Sequence, residues 1–375
     1  MRSGAEPGHI DSSRAIQGIG ASVLVPCSLT LLNHTYHEAE ARAKAVGIWA
    51  GVAGVALAGG PVIGGVLIAT LGWRAIFFIN LPLGLLGIWL TWRYAAESTR
   101  SRGRPLDLTG QASAIVAVGA LAAAMIEGDE VGWSNGLVIA GFAIFAFAGT
   151  LFLVIEAKRS GPMLPLSFFR NRTFSAANLV GLLINLAFYG LIFNFSLYFQ
   201  QVRKFTPLST GLAFLPMTAI VVGTNIVAGR MATRLGARPP MVAGQAIFAI
   251  GCFFLRTIDS GTNYGSMWSQ MVLIGAGIGL TVPPMTSALL ATVDRKQSGV
   301  ASGVLNTTRQ IGSVIGVALF GSLIANRDQF VGGMHVALYV AIVAALTGAV
   351  TAFAAIDRDA ATEPRRGEGG MGRKL

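Results

Sequence analysis

The sequence has little charge. Asp, Glu, Lys and Arg supply 12% of its 375 residues, against about 25% in an ordinary soluble domain. A water-exposed surface of the usual kind cannot be built from so few. Cysteine is nearly absent: Cys27 and Cys252 lie far apart inside apolar segments, a spacing that suggests neither a disulfide framework nor a metal site. His9, His34, His37 and His335 are the only histidines. His34 and His37 have a one-turn spacing but no third ligand nearby, so a solvated loop is the better reading. Residues 1–13 are polar and hold no apolar stretch of the kind a cleavable signal peptide needs. There is no P-loop, no zinc pattern and no nucleophile–His–acid set. The expectation is a protein that is not an enzyme and not an ATP-driven pump, with no cofactor and no metal.

What the chain has instead is apolar length. Hydrophobic residues make up 53%, and glycine occurs 48 times. A bilayer core of about 30 Å needs roughly 20 apolar residues per helix, and in lipid the backbone must satisfy its own hydrogen bonds. Glycines that would weaken a soluble helix let membrane helices approach closely. The pattern predicts an all-α membrane bundle with eleven spans: 14–32, 44–70, 74–95, 108–127, 136–156, 175–199, 209–229, 241–258, 266–290, 299–325 and 335–356. Longer polar linkers fall at 96–107 and 157–174, and a charged, Gly-rich tail follows Ile356.

The formal net charge of +11 could suggest nucleic acid. Its distribution points to a membrane, because Lys and Arg mark the cytoplasmic side. With the C-terminus placed inside, twenty of the 28 Lys and Arg fall in inner segments. Five (Arg74, Arg203, Lys204, Arg256 and Arg327) fall in outer ones. Eleven spans then put the N-terminus outside, with no targeting segment before the first span. A weak internal repeat relates Gly18-Ile19-Gly20 and Pro26 to Gly277-Ile278-Gly279 and Pro283-Pro284, each followed by a Gly-spaced helix.

Charges inside spans are costly and need a cavity or a partner. Two arginines qualify. Arg14 has Gln17 one turn away, and its alternative role is that of a snorkelling interfacial residue. Arg309 lies mid-span between Asn306 and Gln310, which favours a polar cavity or a coupling network. The stretch Gly60-Pro61-Val62-Ile63-Gly64-Gly65 joins a helix-bending proline to glycines that allow tight contact. It reads equally as a mechanical element or as close packing. The sixth span carries Asn178, Asn185 and Asn194 with Phe188, Tyr189, Phe193 and Tyr198. These side chains would line an apolar substrate cavity or hydrogen-bond between helices. Asp107, Glu127, Asp129, Glu130 and Glu156 all fall at span ends or in loops, so no acid sits mid-span.

Together these stretches resemble the major facilitator superfamily, and within it the fourteen-span drug:proton antiporters of the EmrB/QacA type. RAIQGIGAS, containing Arg14, is similar to the family's fourth-helix motif. GGPVIGG, at Gly60, Pro61, Gly64 and Gly65, resembles the antiporter motif of the fifth. WRAIFFINLPLG (73–84), PLDLTGQ (105–111), PMLPLSFFRNRTF (162–174), AGRMATRLGARP (228–239) and ASGVLNTTRQIGSVIG (301–316) follow in the family's order. The resemblance covers 14–356. It implies a polar segment at 1–13, a partial N-terminal half at 14–95 and a central two-helix insert with its linkers at 96–174. A six-helix half at 175–356 and a disordered cytoplasmic tail at 357–375 complete it. Three helices preceding Arg14 in the family would then be missing, which implies an N-terminally truncated chain.

The activity implied is export of drugs or other amphipathic small molecules in exchange for protons, from the bacterial cytoplasmic membrane, with the C-terminus inside. A truncated, non-transporting remnant is the alternative. Arg14, Gln17, Gly60, Pro61, Gly64 and Gly65 are assigned to proton coupling or mechanics. Asn185, Tyr189, Asn306, Arg309 and Gln310 are assigned to the substrate cavity. The partners implied are the lipid bilayer, the substrate, protons and a periplasmic adaptor protein, with no nucleic acid.

Overall fold

The computed structural model describes residues 61–94, 107–159, 161–259, 261–294, 297–325 and 329–357, together with scattered positions from Gln17 to Gly60. The described residues form helices joined by short turns. In chain order they are α1 (Gly59–Leu71), α2 (Ala75–Tyr94), α3 (Leu108–Val131), α4 (Gly136–Lys158) and α5 (Arg172–Leu197). They continue as α6 (Pro207–Leu235), α7 (Arg238–Leu255), α8 (Tyr264–Ala291), α9 (Ser298–Leu323) and α10 (Phe330–Ala355). Eight of these are long and apolar enough to cross a bilayer. The exceptions are α1, which is shorter, and α9, whose apolar run is diluted by Asn306-Thr307-Thr308-Arg309-Gln310. The first expected span, 14–32, and the beginning of the second lie largely outside the described residues.

Local chemistry sets the helix ends. Asp107, Asn135, Asn171, Thr206 and Asn263 each accept a hydrogen bond from a first-turn backbone N–H of α3, α4, α5, α6 and α8 respectively. That is the donor a helix start leaves unpaired. Pro207 follows Thr206 at the first helical position, where its missing N–H costs nothing. Gly236 ends α6 at φ 83°, a backbone region that side chains disfavour. The expected span at 175–199 starts earlier, at Arg172, because Asn171 caps there. It also runs on through a single π turn at Tyr198–Val202.

The chain divides into two compact units, residues 1–53 with 77–103 and residues 54–76 with 104–375. In the first, Asn80–Tyr94 is apolar on every side and has no buried residue, a surface suited to lipid.

In the second unit α3 and α4 form a hairpin, and α5 to α10 pack as a bundle. Within it α5 contacts α9, α10 and α8, while α7 lies between α8 and α10, and α3 packs on α9. The core is aromatic and sulfur-rich, with Phe188, Phe195, Phe199, Phe248, Phe320, Met217, Met241 and Met271 all buried. Glycines set the spacing between helices. A Cβ on Gly312 or Gly316 of α9 would run into the Leu182 or Leu186 carbonyl of α5, and one on Gly275 of α8 into the Met217 carbonyl of α6. Lipid supplies no hydrophobic drive between helices, so backbones in direct contact gain their cohesion from dispersion.

Candidate functional site

The GGPVIGG segment occupies the first turns of α1, and its residues divide between two faces. Pro61 and Gly65, one turn apart, face α6. A Cβ on Gly65 would stand 2.8 Å from the Pro207 carbonyl oxygen and 2.9 Å from Leu208 Cα. The contact is reciprocal, since a Cβ on Gly211 of α6 would overlap the Pro61 carbonyl. Gly60 and Gly64, on the neighbouring face, would meet nothing within 4 Å. Two of the four motif positions therefore make a backbone-to-backbone crossing, and two do not.

The polar residues of α5 were read as either lining a cavity or bonding between helices. For two of them the bonds shown stay within α5. Asn178 donates to the Phe174 carbonyl at 2.9 Å, and Asn185 donates to the Gly181 carbonyl at 2.7 Å, both within their own helix. Each amide N–H turns back one helical turn to a carbonyl of its own helix, and Asn178 Oδ1 is left buried without a partner. Asn194 is fully buried and neither of its amide atoms has a partner.

Arg309 extends from α9 towards α5. Its stem lies over Gly181, where an added Cβ would be 3.2 Å from Arg309 Cγ. Its guanidinium is within electrostatic reach of Tyr189. Arg309 Nε is buried without a hydrogen-bond partner. Tyr189 is half-buried and sets its ring edge-on to Phe188 at 5.5 Å. Asn306 and Gln310 are both exposed. They lie one turn apart on α9. Arg309 of α9 thus lies over Gly181 of α5 and within electrostatic reach of Tyr189, with Asn185 one turn from each of those α5 positions, and Asn306 and Gln310 are its neighbours on α9.

Of the remaining predicted positions, Arg14 lies outside the described residues, and Gln17 is helical and exposed. The sequence reading passed over two features. Gln245 of α7 is fully buried against Gly348 of α10, with both amide atoms lacking partners; a lone amide within RPPMVAGQAIF was the available signal. Asp107 and Glu156 were placed at span ends, yet both are buried and Asp107 pairs with Arg159 at 2.7 Å. The Gly110 backbone N–H, ahead of the Thr109 hydroxyl and Arg159, holds the Asp107 carboxyl below the usual carboxylate range.

At the opposite end of the bundle, Tyr198 donates to the Asp259 carbonyl at 2.6 Å and Tyr264 to the Ala213 carbonyl at 2.9 Å. His335 sits 2.7 Å from the Ile258 carbonyl. Among the described residues no group of three or more His, Cys, Asp or Glu converges.

Membrane-length helices, glycine-mediated crossings and a polar strip at mid-helix define a polytopic membrane protein with a polar interior rather than a simple anchor. The Major Facilitator Superfamily model matches residues 12–317, and the chain belongs to that superfamily.

The multidrug resistance protein Stp of Mycobacterium tuberculosis is 36% identical over 316 residues, covering 84% of this chain and 59% of Stp. The methylenomycin A resistance protein of Streptomyces coelicolor is 34% identical over 350 residues, covering 92% and 73%. The tetracenomycin C resistance and export protein of Streptomyces glaucescens is 31% identical over 320 residues, covering 84% and 58%. The chain thus spans less than two thirds of the length of Stp and of the tetracenomycin protein.

Proposed function

We propose that this protein is a secondary transporter that exports drugs or other amphipathic small molecules, driven by protons, as a member of the fourteen-span drug:proton antiporters. The observation that carries the reading is the polar strip at the α5–α9 crossing. Arg309 of α9 lies within electrostatic reach of Tyr189 on the membrane-length α5, Asn185 is one turn from Tyr189, and the exposed Asn306 and Gln310 extend the strip along α9. Such a strip is stable only beside water, a substrate or another helix. The resistance and export roles in the names of its relatives agree with a substrate of this class. Arg309 is assigned to the cavity, and Pro61 and Gly65 to the helix crossing that flexes during alternating access. Arg14, Gln17, Gly60 and Gly64 complete the coupling and mechanical set. The bias of Lys and Arg supports a bacterial cytoplasmic membrane location with the C-terminus inside.

The test is energised efflux of a fluorescent cationic dye from cells lacking their own pumps. It would be run with this chain alone and with the chain joined to the portion of Stp that the alignment leaves uncovered. Export that an uncoupler abolishes and that Arg309→Ala reduces at least tenfold is the expected result. Uncoupler-insensitive export would remove the proton from the mechanism. Full export by Arg309→Ala would remove Arg309 from the site.

A further inference from the structure

Helix α7 has an arginine at each end, and each lies on an aromatic ring that faces out of the bundle. Arg238 opens the helix, and its guanidinium carbon stands 4.4 Å from the centre of the Phe353 ring of α10. Arg256 follows its last residue and stands 4.0 Å from the centre of the Phe253 ring. Phe353 is 63% exposed and Phe253 is 43% exposed. Neither guanidinium has an ion pair or a hydrogen bond among the described residues, and Arg238 Nε is buried without an acceptor. The helix is 18 residues long, which sets the two arginines about 27 Å apart at about 1.5 Å per residue. A bilayer core is about 30 Å thick, so the two cations fall at its two headgroup levels.

The surface beside Arg238 is apolar. Tyr339, Val343, Leu346, Val350 and Phe353 of α10 are all exposed and recur every three or four residues, which puts them on one stripe. The stripe ends at the ring that carries Arg238. The charge at that end has one sign: Arg230 and Arg234 are exposed on the last turns of α6, and no Asp or Glu occurs between Glu156 and Asp259. A guanidinium stacked on a ring keeps its N–H edge for an acceptor. Here the acceptor must be an anion that stands beside an apolar chain. A second copy docked through this face about a two-fold axis along the membrane normal would bring the same arginines to the same level, so like charges would meet.

We propose that Arg238 and Phe353 form a binding site for an anionic phospholipid. The guanidinium takes the phosphate, and an acyl chain lies along the α10 stripe from Val350 to Tyr339. Arg256 on Phe253 marks the headgroup level of the opposite leaflet. A zwitterionic lipid also offers a phosphate, but it brings its own ammonium towards Arg230 and Arg234, so the site favours the anionic headgroup. The site uses none of the residues assigned to substrate or coupling.

Fluorescence quenching by brominated lipids tests this. Phe353→Trp keeps an aromatic ring under Arg238 and adds a reporter at the site, and the unmodified full chain supplies the background of its 6 native tryptophans. The variant is reconstituted in vesicles of dioleoyl phosphatidylcholine and dioleoyl phosphatidylglycerol in varied ratio, with bromine on the chains of one lipid or the other. Position 353 should take phosphatidylglycerol over phosphatidylcholine about fivefold, the preference that one basic contact gives at a membrane surface. Adding Arg238→Gln should remove that preference. Equal affinity for the two lipids in Phe353→Trp alone would overturn the proposal, and this result stands even if the double variant does not fold. An unchanged preference in the double variant would also overturn it, by assigning the lipid to the general charge of the surface. Quenching by neither lipid would mean that protein, such as a second copy, covers the face, and would overturn it as well.

Discussion

The division of GGPVIGG between two faces can be tested by adding one methyl group at a time. In Gly65→Ala the new Cβ stands 2.8 Å from the Pro207 carbonyl oxygen, where ordinary contact begins at 3.4 Å. The helices must therefore part by about 0.6 Å, the difference between those distances. The obstacle is backbone on both sides, so no side chain can rotate out of the way. Overpacking of this size costs about 1–3 kcal/mol, while replacing a helical glycine by alanine returns about 0.5–1 kcal/mol. The net expectation is a loss of up to about 2 kcal/mol for Gly65→Ala.

Gly211→Ala, whose Cβ would overlap the Pro61 carbonyl, should lose more. Gly64→Ala meets nothing and should keep the helix gain, making it neutral to slightly stabilising. Unfolding of each variant in detergent, followed by denaturant titration, measures the order. The double variant Gly65→Ala/Gly211→Ala should cost less than the sum, because one separation of α1 from α6 relieves both contacts. Equal stabilities for Gly64→Ala and Gly65→Ala would refute the assignment of faces. A loss of transport confined to Gly65→Ala and Gly211→Ala, in proportion to the lost stability, would mark the segment as packing. Transport lost in excess of stability would mark it as mechanical.

Asn194→Leu should leave stability unchanged or raise it by about 1 kcal/mol in the same denaturant assay, since it removes two unpaired buried polar atoms; a clear destabilisation would show that the amide has a partner. Tyr198→Phe and Tyr264→Phe should each cost about 1 kcal/mol by removing one hydrogen bond to a carbonyl, and the losses are measured by the shift in midpoint. The Asp259 carboxyl is held below its ordinary value, first by the Thr262 hydroxyl and then by the Gly261 N–H. Its contribution to the α7–α8 turn is therefore complete above about pH 4, near the unfolded value, and is lost as pH falls through the lowered one. Asp259→Ala should flatten that acid limb of a stability-versus-pH curve and leave the neutral region almost parallel to it.

Much of the bundle was legible because helix length and capping are local. The spans expected from 175, 209 and 266 begin within three residues of the observed starts at Arg172, Pro207 and Tyr264, and the apolar runs between the polar connections read as helices in lipid. The pairing of side chains was not local. Asn178 and Asn185 share a face by spacing, but spacing does not say whether an amide reaches across to a neighbour or back to its own helix. The geometry chose the shorter route. Asp107 and Glu156 looked like loop acids because each ends an apolar run. Only closure of the α3–α4 hairpin puts those two ends side by side and buries them. The two faces of GGPVIGG were similarly invisible: all four positions are small or bent, and only the course of α6 decides which of them it touches.

The least apolar of the long helices, α9, is also the one that carries the strip assigned to substrate. Its glycines at 312 and 316 hold one face against the backbone of α5, and its charge and amides gather nearer its start, at Asn306, Arg309 and Gln310. A helix built only for packing has no need of that polarity, and a helix facing lipid could not carry it without a penalty at each polar group. Close contact over one half and open polarity over the other are compatible if the tight half acts as the fulcrum and the polar half borders water. The order of effects follows. Substitutions at Gly312 or Gly316 should lower stability and transport together. Substitutions at Asn306 or Gln310 should change transport or its substrate preference and leave the denaturation midpoint where it was.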